Sequence, residues 1–500
     1  MNTDKTTTKT LQTLPKILTT GRLYINGQWQ DATGERTTDV INPATGQSLA
    51  TVAAGTVEDI DLAVQAAQQA FEDGRWSGLS GRQRSRILNQ VSQIMRERED
   101  ELALAESLDV GKPITLAHAV DVATAADQYE YTAAIAQQLD GSVRETPLAA
   151  HAYTRREPLG VVAAITPFNF PLILSSTKIA TALAAGNTVV HKPAADTPLS
   201  ALLMAEILTE AGVPDGVYNV VTGPGSSLGD HLVRHSGIHK VAFTGSTEVG
   251  AHVASLAGLN LRPVTAELGG NAANIVFADA DVDKAIETII SAFVFNAGQF
   301  CMGGPRLLVE RPVYDTILEI LSQAVPNVPF GDPTNPETVV GPLASQKQFD
   351  KVSQHVEAAR AAGGRMVCGG EPLDLDGGFY YKPTVIADLP PDAAAIQEEI
   401  FGPVLTVQPF DTEHQAIELA NGTEYGLAAG LQTTSISRAH RVSAALEAGI
   451  VWVNGWAQLD PAMPFGGVKN SGWGREYGPE ALESYTRTKS VIISIDQEQS

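Results

Sequence analysis

The sequence predicts an α/β protein built on a doubly wound parallel sheet, followed by a second α/β region. From Gly160 onward, short β-branched runs alternate with Ala- and Leu-rich stretches of helical length, which is the pattern of repeated βαβ units. Gly186 and Gly212 lie where such helices need a left-handed C-terminal cap, and Asn187 and Val217 then begin the next strands. Such sheets bind ligands beyond the carboxyl ends of their strands, so we expect chemistry just after each apolar run.

The regions on either side of this sheet are also regular. Before it, Asp59–Glu106 is predicted to be helical, with the charged stretch Gly81–Glu101 as a solvated face. After it, Ile286–Ala297 has helical spacing and Arg306–Glu310 has the composition of a strand. This second alternation predicts a further α/β domain.

Length and composition indicate a multidomain globular protein. The chain has 500 residues, of which 43% are hydrophobic and 18% charged, so collagen-like, disordered and disulfide-scaffold classes are excluded. Lys and Arg number 34 against 57 Asp and Glu, and the net charge of -23 repels phosphate backbones and anionic lipids. Nucleic acid and membrane partners are therefore not expected.

The low cysteine content and the lack of a recognisable signal peptide predict a cytoplasmic protein. Two cysteines in a chain of this size form no disulfide framework, which favours a reducing compartment. Residues 1–19 lack the apolar stretch of a signal peptide and are predicted to form a disordered tail. The most apolar region, Pro158–Val190, is interrupted by prolines, asparagines and a lysine, so no membrane-spanning segment is predicted.

The two cysteines have different surroundings. Cys301 lies in NAGQFCMGG, where glycines allow a ligand to approach the backbone and a turn can expose the sulfur, so it is a candidate nucleophile. A buried core cysteine is the alternative, since free cysteine usually behaves as a small hydrophobic residue. Cys368, at the end of the apolar run RMVC, is interpreted as structural.

Two polar residues follow predicted strands. Glu267 ends VTAELGG, where desolvation can raise the pKa of its carboxyl group toward that of a useful base; a solvated glutamate at a strand end is the alternative. Asn169 lies in TPFNFP between Pro167 and Pro171, which hold a turn from which its amide can donate to an oxyanion. Alone, Asn169 is equally consistent with a turn residue.

Two glycine-rich segments suggest different ligands. FTGSTEVG, Phe243–Gly250, follows a strand and begins a helix, so its amides can bind a phosphate. GPGSSLG, Gly223–Gly229, falls short of a dinucleotide fingerprint because Leu228 replaces the third glycine. The same segment contains G-x-S-x-G, which predicts a serine esterase using Ser227, although that hypothesis leaves Cys301 without a role.

His231, His235 and His239 are spaced as candidate metal ligands on a helix. Gly237 interrupts their helical spacing and no cysteine or carboxylate completes a ligand set, so surface histidines are the preferred interpretation and no metal is expected.

Seven segments occur in the order and approximate spacing of the aldehyde dehydrogenase superfamily: TPFNFP, HKPA, FTGSTEVG, ELGGNAANIV, NAGQFC, EEIFGPV and PFGGVKNSG. The chain resembles this superfamily from LYINGQW at Leu23 to TRTKSV near the C-terminus.

The resemblance implies a mechanism. Cys301 attacks the aldehyde carbon, and the thiohemiacetal oxyanion is held by the Asn169 side chain and the Cys301 amide. Glu267 matches the general base that also activates the hydrolytic water, so the expected product is a free acid, unlike that of CoA-acylating relatives. Lys178 matches a proposed proton-relay position, although a lysine on such a helix is more often solvated.

The resemblance also implies a dinucleotide cofactor, NAD or NADP. Lys192 would meet the adenine ribose, Ser246 the pyrophosphate, Glu399 the nicotinamide ribose and Phe401 the nicotinamide. The remaining positions assigned to cofactor binding are Ala195, Gly225, Gly245, Gly250 and Leu268.

Ala195 stands where NAD-preferring relatives usually carry a glutamate. A carboxylate there repels the 2′-phosphate of NADP by roughly 4 kcal/mol per charge pair at 4 Å and effective dielectric of about 20. We therefore expect NADP to be accepted, with Asp196 able to restore part of the barrier.

The substrate tunnel implied by the resemblance is apolar and aromatic, with Phe170, Thr177, Phe300, Met302, Trp456 and Phe465 as its expected lining. This set favours hydrophobic or aromatic aldehydes over semialdehydes with a second carboxylate, because those segments offer no obvious arginine.

By the same resemblance, residues 20–138 and 158–268 form a Rossmann-like cofactor-binding domain and residues 269–471 a catalytic domain. Residues 139–157, as a small β hairpin, and 484–496 form an oligomerisation segment of a homodimer or homotetramer. A non-enzymatic structural relative is the last alternative, and the presence of Cys301, Glu267 and Asn169 disfavours it.

Overall fold

The computed structural model describes Leu18 and residues 20–495 of the chain. The predicted disordered tail, residues 1–19, lies outside the described residues except for Leu18. Leu18 is fully buried, so the tail prediction is wrong at that position.

An eight-stranded sheet forms the centre of the first half of the molecule. Its five middle strands are parallel, and the strands at both margins are antiparallel. The middle strands are buried on both faces, as expected for a sheet covered by helices on each side. In spatial order the strands are Gly472–Trp473, Val264–Glu267, Lys240–Thr244, Val161–Ile165, Thr188–Lys192, Tyr218–Val220, Leu23–Ile25 and Gln28–Gln30.

Helices cover both faces of this sheet, which confirms the predicted doubly wound α/β class. One face packs against Gly81–Glu97, Glu99–Val110, Ala123–Ile135, Pro171–Ala184 and Leu199–Glu210. The other face packs against Val57–Glu72, Gly225–Arg234 and Thr247–Gly258. Both predicted caps are left-handed, with φ of 91° at Gly186 and 92° at Gly212.

Two predictions in this half need correction. The next strands begin one residue later than expected, at Thr188 and Tyr218. The charged stretch Gly81–Glu101 is not wholly solvated, because Arg84 is buried and its Nε donates to the carbonyl oxygen of Ala184 at 3.1 Å. The carbonyls at the end of helix Pro171–Ala184 therefore receive a donor from this stretch.

A seven-stranded sheet forms the second α/β layer. In spatial order it contains Arg365–Cys368, Thr384–Ala387, Val404–Phe410, Arg306–Glu310, Ala273–Val276, Ala428–Gln432 and Ile450–Val453. Its covering helices are Val282–Val294, Arg311–Ala324, Gln346–Ala361, Glu413–Asn421 and Ile436–Ala445.

The predicted strand Arg306–Glu310 is confirmed. The predicted helix Ile286–Ala297 instead ends at Val294, because Asn296 and Ala297 adopt left-handed conformations with φ of 50° and 53°. This break turns the chain toward Cys301.

A third, antiparallel sheet joins Val143–Arg144, Ala150–Pro158 and Thr486–Ser494. It brings together the hairpin and the C-terminal strand of the predicted oligomerisation segment, of which residue 496 lies outside the described residues. No helix in the described part of the chain is long and apolar enough to cross a bilayer.

Short elements complete the fold. The strands are Thr20–Gly21, Thr37–Asn42, Gln47–Ala53, Pro372–Leu373, Tyr380–Tyr381, Tyr425–Gly426 and Val468–Lys469. The helical turns are Ile114–Leu116, the π-helix Ala117–Val122, Phe295–Gly298, Val325–Asn327, Ala394–Gln397 and Glu480–Ser484.

Candidate active site

A cavity of about 350 Å³ opens beyond the carboxyl ends of four parallel strands of the first sheet, as the sequence predicted. Its wall on that side is formed by residues that follow those strands: Pro167, Phe168, Asn169, Ala194, Asp196, Gly245, Ser246, Leu268 and Gly269. The opposite wall comes from the second half of the molecule and includes Cys301, Ser345, Lys347, Gln348, Lys351, Glu399 and Phe401. The cavity thus lies between the two α/β layers.

Cys301 lies in the turn beyond the left-handed pair Asn296–Ala297, and it is half-buried. Burial and the nearby carboxylates of Glu399 and Glu267 raise the pKa of its thiol to about 12, while the amides of Met302 and Cys301 partly oppose this shift. The resting group is therefore a thiol, which needs a base or a nearby positive charge to become a nucleophile.

Asn169 is held in place from two directions. Its Nδ2 donates to the carbonyl oxygen of Gln299 at 3.0 Å, and its own carbonyl oxygen accepts from Asn296 Nδ2 at 2.9 Å. Asn169 is buried and lines the same cavity as Cys301. Since an amide nitrogen carries two N–H groups, one donor is left for a ligand.

Glu267 ends a strand and is buried, so the alternative of a solvated strand-end glutamate is wrong. Both carboxylate oxygens lack a close hydrogen-bond partner among the described residues. The Gly467 amide is near enough to lower the pKa of the carboxyl group, but it is the smallest of the influences on that pKa. Burial, together with the neighbouring Glu476 carboxylate, raises the pKa of Glu267 well above its usual value, although Lys178 and Arg475 oppose this. The raised pKa makes this carboxylate a stronger base than a solvated glutamate.

Lys178 is fully buried, so the alternative of a solvated lysine is also wrong. Its Nζ donates to Thr244 Oγ1 at 2.6 Å and to the carboxylate of Glu476. Glu476 was not predicted as a site residue; it lies in the segment just beyond PFGGVKNSG and is 2% exposed. A carboxylate between two glycine-containing turns was the only sequence signal for it.

The carboxyl group of Glu399 also borders the cavity. Its Oε1 accepts from the Gly270 amide at 3.0 Å, and burial raises its pKa to about 7. Phe401 has a left-handed φ of 60° and packs edge-on against Phe168 with ring centroids 5.8 Å apart.

The FTGSTEVG segment forms a strand-to-helix turn. Ser246 is the N-cap of helix Thr247–Gly258, and its side chain accepts from the Val249 amide at 3.3 Å. A Cβ on Gly245 would lie 2.6 Å from the Phe243 ring, and one on Gly250 would lie 2.2 Å from the Leu268 side chain. Gly245 lines the cavity, whereas Gly250 lets Leu268 pack against the helix.

An aromatic and aliphatic cluster packs against Cys301. Its buried members include Phe170, Phe300, Met302 and Phe465, and Trp456 packs on it from the rim. Trp456 Nε1 donates to the Met302 carbonyl oxygen at 2.9 Å. Five of the six predicted tunnel residues are thus brought together, and the sixth, Thr177, is buried within hydrogen-bonding reach of the cluster member Tyr477.

The sequence model of the aldehyde dehydrogenase family matches residues 29–491. The chain belongs to the aldehyde dehydrogenase family. It is an NAD(P)-dependent aldehyde dehydrogenase, an enzyme that oxidises aldehydes.

Solved structures of aldehyde dehydrogenases have the same fold. The NAD+ complex of an aldehyde dehydrogenase from Bacillus cereus is 42% identical, with 95% of this chain and 96% of that chain covered and a TM-score of 0.93. Betaine aldehyde dehydrogenase from Staphylococcus aureus, also in complex with NAD+, is 36% identical, with 95% of each chain covered and a TM-score of 0.94.

Some residues assigned to the cofactor of this aldehyde dehydrogenase do not line the cavity. Lys192 is buried with its Nζ donating to the Pro193 carbonyl oxygen at 2.8 Å, and burial lowers its pKa to about 8. Asp196, rather than Ala195, faces the cavity. Gly225 is exposed in the first turn of helix Gly225–Arg234.

Two cavity lysines were missed. Lys347 and Lys351 stand one helical turn apart on helix Gln346–Ala361, and Lys351 Nζ donates to the Glu399 carbonyl oxygen at 2.8 Å. The i, i+4 spacing of lysines just after the N-cap Ser345 was visible in the sequence, but nothing local showed that this helix faces the first sheet.

The alternative sites are not assembled. Ser227 is exposed within the first helical turn and lacks the strained turn that a nucleophile elbow requires. His231 and His235 approach Asp61 at 2.6 and 3.5 Å, while His239 Nδ1 accepts from the Val161 amide. Cys368 ends an edge strand of the second sheet, away from the cavity residues.

Proposed function

We propose that this aldehyde dehydrogenase converts its substrate to a free carboxylic acid through a covalent adduct on Cys301, with Asn169 and Glu267 as the other catalytic residues. The observation that carries the proposal is the joint placement of Cys301 and Asn169 on one cavity, with the buried carboxyl group of Glu267 close enough to raise the pKa of the thiol. These are the nucleophile, oxyanion donor and base of an acyl-transfer site.

In the first step the thiol loses its proton to Glu267 and the sulfur attacks the carbonyl carbon. The carbonyl π electrons move to oxygen, and the oxyanion accepts hydrogen bonds from Asn169 Nδ2 and the Cys301 amide. The hydrogen bonds from Asn296 to Asn169 and from Asn169 to Gln299 support this role, because they fix the donor before the substrate arrives.

In the second step the C=O bond would reform as a hydride passes from the former aldehyde carbon to the hydride acceptor that a bound dinucleotide would supply, which leaves a thioester on Cys301. Glu267 then takes a proton from water, the water oxygen attacks the thioester, and the C–S bond breaks to release the acid. The raised pKa of Glu267 suits both proton transfers. Before the second proton transfer Glu267 releases the proton that it took from the thiol; Lys178, at the position that the resemblance assigns to a proton relay, and Glu476 are close enough to Glu267 to shift its pKa.

The cavity fits a nicotinamide dinucleotide. The cap of helix Thr247–Gly258 presents amides for the pyrophosphate, and the half-buried Glu399 carboxylate suits a ribose hydroxyl. A Cβ on Gly269 would lie 2.5 Å from Glu399 Oε2, so glycine at this position lets the carboxylate lie against the backbone. The dinucleotide, when bound, supplies the hydride acceptor and a positive ring near the thiol.

NAD is the proposed cofactor, since both relatives named above were solved with NAD+. We also propose that NADP is accepted, because Ala195, which lies between the cavity residues Ala194 and Asp196, has no carboxylate that could reach a 2′-phosphate. Asp196 is exposed and lines the cavity, and it is close enough to Lys192 to oppose part of the fall in the pKa of that lysine. Its carboxylate therefore supplies the remaining repulsion of a 2′-phosphate.

The proposed substrate is a hydrophobic or aromatic aldehyde. Phe170, Phe295 and Phe300 pack around one another with centroids 5.0 to 6.0 Å apart, which gives an aromatic wall. An apolar or aromatic group packs against such a wall without the cost of burying a polar group.

A second candidate substrate is an aldehyde carrying a quaternary ammonium group. Trp456 is partly buried at the edge of the cluster beside Cys301, and an indole face attracts such a cation. A relative named for betaine aldehyde is consistent with this candidate.

The test is a panel of aldehydes followed by formation of reduced cofactor, each with NAD and with NADP. Benzaldehyde and medium-chain aldehydes should outperform succinic semialdehyde, and betaine aldehyde distinguishes the two candidates. No reduction with any aldehyde would refute the proposed function.

We also propose that the chain divides at residue 268 into cofactor-binding and catalytic parts and assembles through the third sheet. Strand Thr486–Ser494 pairs on only one side within the described chain, and Ile492 and Ile493 are exposed on it. Such an edge is a template for a second copy. Light scattering should give a dimer or tetramer, and a monomer would refute this assembly.

A further inference from the structure

Three charged side chains with no role in the proposed chemistry are fully buried behind the active site. Glu106 lies on helix Glu99–Val110, Lys112 follows that helix, and Asp121 lies on the π-helix Ala117–Val122. Lys112 Nζ is 3.4 Å from Glu106 Oε2 and donates to Asp121 Oδ1. We call these three residues the buried triad.

Glu106 caps the helix that follows the oxyanion donor. Helix Pro171–Ala184 has Phe170 as its N-cap, and a phenyl ring cannot accept a hydrogen bond from the first turn. Pro171 has no N–H, so the first amide that needs a partner belongs to Leu172. Glu106 Oε1 accepts from that amide at 3.1 Å, although 66 residues separate the two along the chain.

Lys112 supports the aromatic wall. Its Nζ lies 4.1 Å from the centroid of the Phe170 ring, which is a cation–π geometry. The same ring also packs against Phe295 and Phe300 of the cluster beside Cys301. Lys112 therefore contacts the other two residues of the buried triad, and it also contacts Phe170, the residue after Asn169.

The charges of the buried triad do not balance, which is unusual for buried residues that only stabilise a fold. Two carboxylates face one ammonium, Asp121 Oδ2 has no partner among the described residues, and burial with the Glu106 carboxylate raises the pKa of Asp121. Buried ion pairs are often no better for stability than apolar residues of the same volume. The π-helical turn that carries Asp121 is a further irregularity, of a kind frequent at functional sites.

We propose that Glu106 and Lys112, anchored by Asp121, are positioning residues that fix the Asn169–Phe170 segment, so that they set both the rate of hydride transfer and the fit of the aldehyde. This inference rests on the function proposed above. Glu106 acts through the Leu172 amide on the start of the helix, and Lys112 acts through the Phe170 ring.

The first test compares Glu106→Leu with Glu106→Gln. Glutamine keeps an oxygen for the Leu172 amide, whereas leucine leaves that amide without an acceptor. Asp59→Leu is the matched control, because Asp59 is also fully buried and caps another helix through the Thr56 amide at 2.8 Å, on the opposite face of the first sheet.

The readout is the rate constant of the pre-steady-state burst of reduced cofactor, which does not depend on the folded fraction. Glu106→Leu should lower it about ten- to hundredfold, as expected for a misplaced donor, while Glu106→Gln and Asp59→Leu stay close to wild type. An unchanged rate constant in Glu106→Leu would overturn the inference. Absence of any reduced cofactor from the wild type would instead refute the proposed function.

A double-mutant cycle covers the case in which Glu106→Leu does not fold. Lys112→Met should raise the aldehyde KM several-fold with Phe170 present, and it should have little effect in the Phe170→Leu background. The KM for the cofactor should not move in either background. Equal effects of Lys112→Met with and without the Phe170 ring would overturn the inference.

Discussion

Glu267 and Glu476 lie as neighbouring buried carboxyl groups, and the negative charge of Glu476 raises the pKa of Glu267. Glu476 is also bonded to the Lys178 ammonium, which acts in the opposite sense. The acid–base behaviour of the proposed base is therefore set by a pair that comes from distant parts of the chain.

Replacing Glu476 with glutamine should lower the pKa of Glu267. The variant removes the carboxylate that raises it and leaves the Lys178 ammonium that lowers it. Because the base must be deprotonated, the fall in turnover on the acid side should move to lower pH. The pH profile of kcat for a substrate limited by hydrolysis checks this, with Glu476→Asp as the charge-conserving control. A profile that stays in place or moves to higher pH would contradict it.

Asn169→Ala should lower the burst rate constant by roughly two to three orders of magnitude, the usual cost of losing one oxyanion donor. The hydrogen-bonded position of Asn169 beside Gln299 makes replacement by water ineffective, since a water there is not held in the same geometry. Stopped-flow formation of reduced cofactor measures the effect. A loss smaller than tenfold would argue that the Cys301 amide alone holds the oxyanion.

Glu267→Gln should separate the two halves of the reaction. Hydrolysis depends on Glu267 as the base for the water, whereas the positive ring of the bound cofactor also favours the Cys301 thiolate, so the variant should retain a slower burst of reduced cofactor and then turn over very slowly. Comparison of burst amplitude with steady-state rate at saturating aldehyde measures this. Steady-state turnover equal to that of the wild type would refute the assigned base.

Cofactor choice should respond to Ala195 and Asp196. Ala195→Glu should abolish most activity with NADP and spare activity with NAD, because the new carboxylate opposes the 2′-phosphate. Asp196→Asn should raise kcat/KM for NADP by about tenfold relative to NAD, since a partly solvated charge contributes less than the full pair energy. Wild-type activity with NAD alone, unchanged in Asp196→Asn, would contradict the account.

The sequence predicted the parallel sheet and most of the site because both are encoded locally. Strands such as Val161–Ile165 are apolar throughout, and Asn169, Ser246 and Glu267 follow strands directly, so their meeting at one edge of a sheet could be inferred. The left-handed glycines were predictable for the same reason, since a helix end requires that conformation.

What the sequence could not show depends on contacts between distant segments. Lys178 resembles a solvated helix lysine until Glu476 from the far end of the chain covers it. The break at Asn296 interrupts a pattern that is helical in composition, because the Asn296 side chain bonds to Asn169 and not to its own helix. The motif draws attention to Ala195, whereas the structure places the neighbouring residue Asp196 at the cavity. A motif alone cannot show which of two adjacent residues faces a ligand.

The most direct test of the central claim is to locate the covalent intermediate. Glu267→Gln enzyme is mixed with aldehyde and NAD, quenched in acid after the burst, digested and mapped by mass spectrometry. The account predicts an acyl group on the peptide that contains Cys301 and none after Cys301→Ser. An acyl group on Ser227, or none on any peptide after a full burst, would contradict it.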